Sequence, residues 1–160
     1  MKTKTQFENI IKSDLYQVFL FTSPAHIPLS IWTHPWVVIN KQGNLTRYEV
    51  RYKKNRVKPE LGHIHINDLP PFDGIEIFSF LKYPRWNATL LGQIEGGENS
   101  GAQKMCEFIE NSTQTYKDKS RYFLFGPNSN TYIKWILDNS PEFEGKLRWN
   151  ALGKNYHSSV

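Results

Sequence analysis

The sequence predicts a single α+β domain, a mainly antiparallel sheet packed with helices, and three observations carry that reading. Short aromatic and aliphatic runs recur through the first two thirds of the chain, separated by Gly, Pro and Asn turn signals. Two of these runs, residues 31–40 and 45–52, flank Lys41-Gln42-Gly43-Asn44 and read as a hairpin. The last third instead carries apolar residues at helical spacing. With 160 residues the chain suits one domain and is short for two, so residues 1–160 are read as one unit with an irregular tail from about residue 147.

The elements follow in order. Phe7, Ile10, Ile11 and Leu15 are spaced as on a helix, so residues 7–15 are expected to be helical. Residues 16–21 then read as a buried strand, broken by Thr22-Ser23-Pro24-Ala25. After the hairpin, residues 61–67 alternate loosely and form a weaker strand. Residues 75–80 and 86–94 are expected to be extended, the second ending at Gly96-Gly97. Ser100 and Gln103 make a capping-box pattern ahead of the stripe Ala102, Met105, Cys106 and Ile109. Arg121-Tyr122-Phe123-Leu124-Phe125 reads as a strand, and residues 131–137 as a helix.

Composition narrows the function classes. Ten Phe, eight Tyr and five Trp supply large buried areas, and a lone cysteine excludes an internal disulfide or a Cys-x-x-Cys zinc framework. No apolar run reaches the roughly 20 residues that span a bilayer. No secretory signal pattern is visible, so a cytoplasmic protein is expected. The net charge is +5, and six basic residues fall within residues 47–58. That cluster could meet nucleic acid, or it could be a solvated hairpin edge with protective lysines; no nucleic-acid motif accompanies it.

The residues that could carry chemistry are few. Gly126-Pro127-Asn128-Ser129-Asn130-Thr131 sits where a strand is expected to give way to a helix. Asn128 or Ser129 there is either an N-cap or a polar group among unpaired, dipole-favoured N–H groups. In the second case Ser129 is a nucleophile, and the side-chain amides of Asn128 and Asn130 add to the backbone donors for an oxyanion.

His34 shares a strand face with Trp32, Trp36 and Val38, a partly desolvated setting that favours neutral imidazole; it is a base or a satisfied core histidine. Pro35, with no N–H, places this strand at an edge or near its start. Glu49 either orients the imidazole or pairs with Arg47 and Arg51 on its own face. His63 and His65 are alternatives for the orienting role, and nothing sets His34 beside them as a metal site. Cys106, on the apolar stripe, reads as inert packing. No metal and no cofactor is expected.

Taken together, His34-Pro35-Trp36, Tyr48-Glu49-Val50, Gly126-Pro127-Asn128-Ser129-Asn130-Thr131 and Leu152-Gly153-Lys154-Asn155-Tyr156 resemble an uncharacterised bacterial domain-of-unknown-function family. That family's pattern runs His-Thr-Trp, Tyr-Glu-Val, Gly-Pro-Asn-Ser-Asn-Thr and Ile-Gly-Lys-Asp-Tyr. The six-residue motif matches in full, with Pro35 and Asn155 departing elsewhere. The order of histidine, polar strand residue and strand-to-helix junction is also similar to circularly permuted papain-like, NlpC-like peptidases and lecithin-retinol acyltransferase relatives.

The resemblance implies a cleft for a small-molecule or peptide-like ligand, with serine where cysteine would sit. Ser129, His34 and Glu49 would act on an amide or ester, with Asn128, Asn130, Trp36 and Lys154 around the ligand. A non-catalytic binding protein, with Trp32, Trp36 and Tyr132 lining the same cleft, is the alternative.

Overall fold

The computed structural model describes residues 7–52 and 62–157. Five strands build one antiparallel sheet: β1 (Tyr16–Pro24), β2 (Thr33–Lys41), β3 (Asn44–Tyr52), β4 (Gly62–Ile66) and β7 (Thr89–Gly96), in the order β4-β3-β2-β1-β7. Two short strands, β5 (Asp73–Glu76) and β6 (Arg85–Asn87), pair in a small second sheet. Two helices follow, α1 (Gly101–Thr115) and α2 (Ser129–Asp138). The result is a single α+β domain with a mostly antiparallel sheet.

The central strands explain their own composition. Val18 to Phe21 in β1 and Trp36 to Ile39 in β2 are sealed from solvent because both faces of the sheet are covered. On one face Val18, Leu20, Val37, Ile39, Tyr48 and Val50 pack against Met105, Cys106 and Ile109 of α1 and Ile133 and Ile136 of α2. On the other, Phe19, Phe21, Trp36 and Val38 pack against Phe7, Phe72 and Ala88. The hairpin closes through Gln42 (φ 51°) and Gly43 (φ 93°), two left-handed residues as a two-residue turn requires.

Several sequence expectations change. Residues 7–15 make only a helical turn at their start. The reason is capture of their backbone by polar side chains. Gln17 Nε2 donates to Ile10 O at 3.0 Å, Lys12 N donates to Gln17 Oε1 at 2.9 Å, and Asn40 Nδ2 donates to Lys12 O at 2.8 Å.

Thr22-Ser23-Pro24 does not break β1, which pairs with β2 as far as Pro24↔Thr33. β2 is an interior strand, not an edge. Its ladder to β3 nevertheless stops at Val37↔Tyr48, so Pro35 sits where β2 pairs only with β1.

The capping pair at α1 is half formed. Ser100 Oγ accepts from Gln103 N at 3.2 Å, but the Gln103 side chain reaches Asn99 N, not Ser100 N. Residues 121–125 are not a strand. They make a turn closed by Phe123 N to Pro127 O at 2.8 Å and Gly126 N to Phe123 O at 3.0 Å. No helix among the described residues is long and apolar enough to cross a membrane.

Candidate functional site

Strand alternation sends His34, Trp36 and Val38 to the same face as Arg47 and Glu49. There His34 Nε2 donates to Glu49 Oε2 at 2.8 Å, and the same oxygen accepts from Arg47 Nη2 at 3.0 Å. Arg47 is anchored in turn by Nη1 bonds to Pro70 O (2.8 Å) and Asp73 O (2.6 Å), and its guanidinium lies 4.2 Å from the centre of the Trp36 ring. Arg47 and Glu49 have no exposed surface. The three side chains form a buried relay from a fixed cation, through a carboxylate, to an imidazole.

The electrostatics set the protonation. Burial alone would raise the Glu49 carboxyl, but the His34 hydrogen bond and the Arg47 charge overcome it and hold the pKa at about 2. Burial lowers His34 below its ordinary 6.5, and the opposing pull of Glu49 does not restore it. His34 is therefore neutral at pH 7. Its Nε2 proton is committed to Glu49, and the Nδ1 lone pair has no partner among the described residues.

The N-terminus of α2 is built by Asn128. Its Oδ1 accepts from Asn130 N (2.9 Å) and Thr131 N (3.3 Å), while Thr131 Oγ1 accepts from Asn128 N at 3.2 Å. Asn128, not Ser129, is thus the cap, and Ser129 is the first helical residue. Tyr132 N donates to Asn128 O at 3.0 Å. Of the first-turn amides, Ser129 N–H alone finds no acceptor among the described residues.

The C-terminal tail locks this turn in place. Gly126, at φ 103°, allows the approach, because a Cβ there would lie 2.5 Å from Tyr156 Cβ.

His34 and Ser129 line one cavity of about 530 Å³, together with His26, Trp32, Arg51 and Tyr122. That is the size of a small-molecule site. Asn130 Nδ2 joins its two halves by donating to Thr33 O at 3.0 Å and to Leu152 O at 2.9 Å. Ser129 and His34 are thus each one residue from the ends of a single hydrogen bond.

Asn128 and Asn130 also line the cavity, but with committed side chains, and the remaining expected residues lie elsewhere. Asn128 Nδ2 is spent on the carbonyls of Phe123, Leu124 and Leu152, as Asn130 Nδ2 is on its two, so neither amide is free for an oxyanion. Trp36 is a core residue, stacked 5.7 Å from Phe21, with Nε1 donating to Pro71 O at 2.9 Å. Tyr132 is likewise sealed, its hydroxyl 2.7 Å from Ser112 Oγ. Lys154 Nζ donates to the carbonyls of Arg148 (2.9 Å) and Trp149 (3.4 Å) in the tail, outside the cavity lining.

His65 bonds Asp68, away from the cavity, and the His63 side chain lies outside the described residues. Burial pushes the Cys106 thiol up to about 12. Of the basic cluster, two members are described. Arg47 is sealed, Arg51 Nη2 donates to Glu76 Oε2 at 2.8 Å, and residues 53–58 lie outside the described residues. Among the described residues no group of three or more His, Cys, Asp or Glu could hold a metal ion.

Sequence reasoning missed Tyr122. Burial raises its phenol, and interaction with the Ser129 side chain offsets part of that. Reading residues 121–125 as a strand hid it. The actual turn brings Tyr122 and Leu124 to the cavity wall and leaves Phe123 and Phe125 outside it.

Comparison with solved structures finds a likeness to the crystal structure of a type VI secretion system effector, TseH. The TM-score is 0.50 and the identity 16%, over 87% of this chain and 83% of that one. At that identity the likeness establishes shared fold alone. No curated protein sequence matches the chain. A family profile does match, over residues 16–156, and the chain belongs to that family, the proteins of unknown function DUF3750.

Proposed function

We propose that the chain is a hydrolase or acyltransferase of permuted papain-like design that attacks an amide or ester with Ser129. One observation carries the reading. The buried 2.8 Å bond from His34 Nε2 to Glu49 fixes the imidazole with its Nδ1 lone pair free, on the wall of the cavity that Ser129 also lines.

In the proposed step the Ser129 Oγ–H proton passes to His34 Nδ1 as Oγ bonds the carbonyl carbon. Glu49 stabilises the resulting imidazolium, and Arg47 keeps Glu49 ionised. Ser129 N–H, the uncommitted first-turn amide, receives the oxyanion. Collapse breaks the bond to the leaving nitrogen or oxygen, which takes the proton back from Nδ1. Water or another acceptor then repeats the sequence in reverse. Asn130 acts as a positioning residue, holding the helix start to β2.

A second reading, a binding protein that keeps the cleft, draws support from a different observation. Both asparagine amides are committed to backbone carbonyls, so of the first-turn donors among the described residues only the Ser129 N–H is left to receive an oxyanion, and a serine hydroxyl ionises far less readily than a thiol.

Hydrolysis of nitrophenyl esters separates the two. The catalytic reading expects turnover by the unaltered chain, lost in Ser129→Ala and in His34→Ala. Turnover that survives Ser129→Ala, or none in the unaltered chain, sinks it.

A further inference from the structure

Around the cavity mouth the surface departs from that of an ordinary monomer. Phe80 is 79% exposed, Phe125 71% and Trp149 86%, with Ile31, Tyr83 and Leu29 also open to solvent. They come from four segments far apart in sequence, residues 25–32, 77–84, 121–127 and 148–157, each of which contributes lining to the cavity or its neighbour.

The segments are tied together. Ile27 N donates to Ile77 O at 2.9 Å, and Asn150 Nδ2 donates to Ile31 O at 2.7 Å. Trp32 lines both the main cavity and an adjoining open depression walled by Phe125 and Trp149. The four segments therefore border one opening, and they carry the exposed rings and aliphatic side chains. Contiguous apolar surface of this kind marks a docking site.

Charge identifies the partner. The four segments contain no Asp or Glu, and they carry Lys82, Arg121 and Arg148, all exposed, Arg121 with Nη1 3.8 Å from Asp118 Oδ1. Protruding Phe and Trp edged by Lys and Arg are the chemistry of a surface that sinks its rings into the acyl boundary while its cations meet headgroup phosphates. A second copy of the chain would bring the same cations face to face and add another charge of +5, so self-association through this rim is opposed.

We propose that the rim of the cavity docks on an anionic lipid bilayer, presenting the cavity mouth to the membrane surface. On the catalytic reading above, the ester or amide attacked is then one carried by a membrane-embedded molecule. That consequence rests on the reading of Ser129 and His34; the docking does not.

Co-sedimentation with vesicles tests it. The full chain is expected to pellet with vesicles of phosphatidylglycerol mixed with phosphatidylcholine, and to bind pure phosphatidylcholine far less. Raising salt to about 1 M should weaken the binding, since screening removes the phosphate attraction. Phe80→Ser/Phe125→Ser/Trp149→Ser should lower partition at least about tenfold. All three side chains are mostly solvated, so folding is retained and is checked by an unchanged thermal midpoint.

Ser129→Ala should bind as the unaltered chain does, so docking and catalysis fail separately. Absence of anionic-vesicle binding overturns the proposal, as does vesicle binding that the triple variant retains. A dimer in light scattering that the triple variant abolishes, without vesicle binding, reassigns the rim to self-association and likewise overturns it.

Discussion

Replacing Glu49 by Gln probes the relay at its centre. The carboxylate is sealed from solvent, accepts from His34 and Arg47 through one oxygen, and has its pKa held at about 2 against an ordinary 4.5. A depression of that size is worth about 3 kcal/mol of stability at neutral pH. Removing the charge also leaves the Arg47 guanidinium buried without a counterion, a change that costs about 3–5 kcal/mol in comparable sites.

The pH dependence has a definite sign. Because the folded pKa of Glu49 lies below the unfolded value, its contribution is complete above about pH 4.5 and is lost as the pH falls towards about 2. His34 works in the same direction. Its folded pKa is also depressed, so the unfolded chain takes up a proton below about pH 6.5 that the folded chain refuses, and stability starts to fall there.

Urea unfolding followed by tryptophan fluorescence at pH 7, 5 and 3 reads both effects. Glu49→Gln should be less stable by about 3–5 kcal/mol at pH 7, with the gap narrowing at pH 3. A variant within about 1 kcal/mol of the unaltered chain at pH 7, or a gap that does not change with pH, refutes the relay as a charged unit.

Other predictions follow from the same geometry. Ester hydrolysis should lose half its rate on the acid side below pH 6.5, where the depressed His34 finally protonates; a midpoint above 6.5 contradicts a desolvated base. Asn130→Ala strips a donor from the Thr33 and Leu152 carbonyls. It should cost about 1–3 kcal/mol and lower kcat more than it raises KM, because the helix start is no longer pinned to the His34 strand. Gly126→Ala forces a Cβ to within 2.5 Å of Tyr156 and strains a backbone at φ 103°, so the thermal midpoint should fall by several degrees. Cys106, its thiol pushed up to about 12, should resist iodoacetamide at pH 8 until the chain is unfolded, and rapid modification of the native state would contradict its burial.

What the sequence made legible was local. The hairpin turn at Gln42-Gly43, the α1 stripe ending at Ile109 and the cap at the start of α2 rest on neighbours a few residues apart, and each stands in the structure. The His34–Glu49 pairing was open to inspection because strand alternation puts both on one face.

The rest depended on long-range contacts that no spacing encodes. Trp36 is an aromatic on the right strand face, yet Arg47, Phe21 and Phe72 close over that part of the sheet and take it into the core. Asn128 and Asn130 had the right donors, but the tail at Leu152 claims them. Of the two placements Pro35 allowed, the strand start near His34 holds and the edge does not, because β2 pairs with β1 on one side and with β3 on the other.

The most direct test of the site is mass-spectrometric mapping of a fluorophosphonate adduct on the folded chain. A single adduct on Ser129 is expected, absent from Ser129→Ala and strongly reduced in His34→Ala. An adduct on another serine, or none on a folded chain at neutral pH, would contradict it.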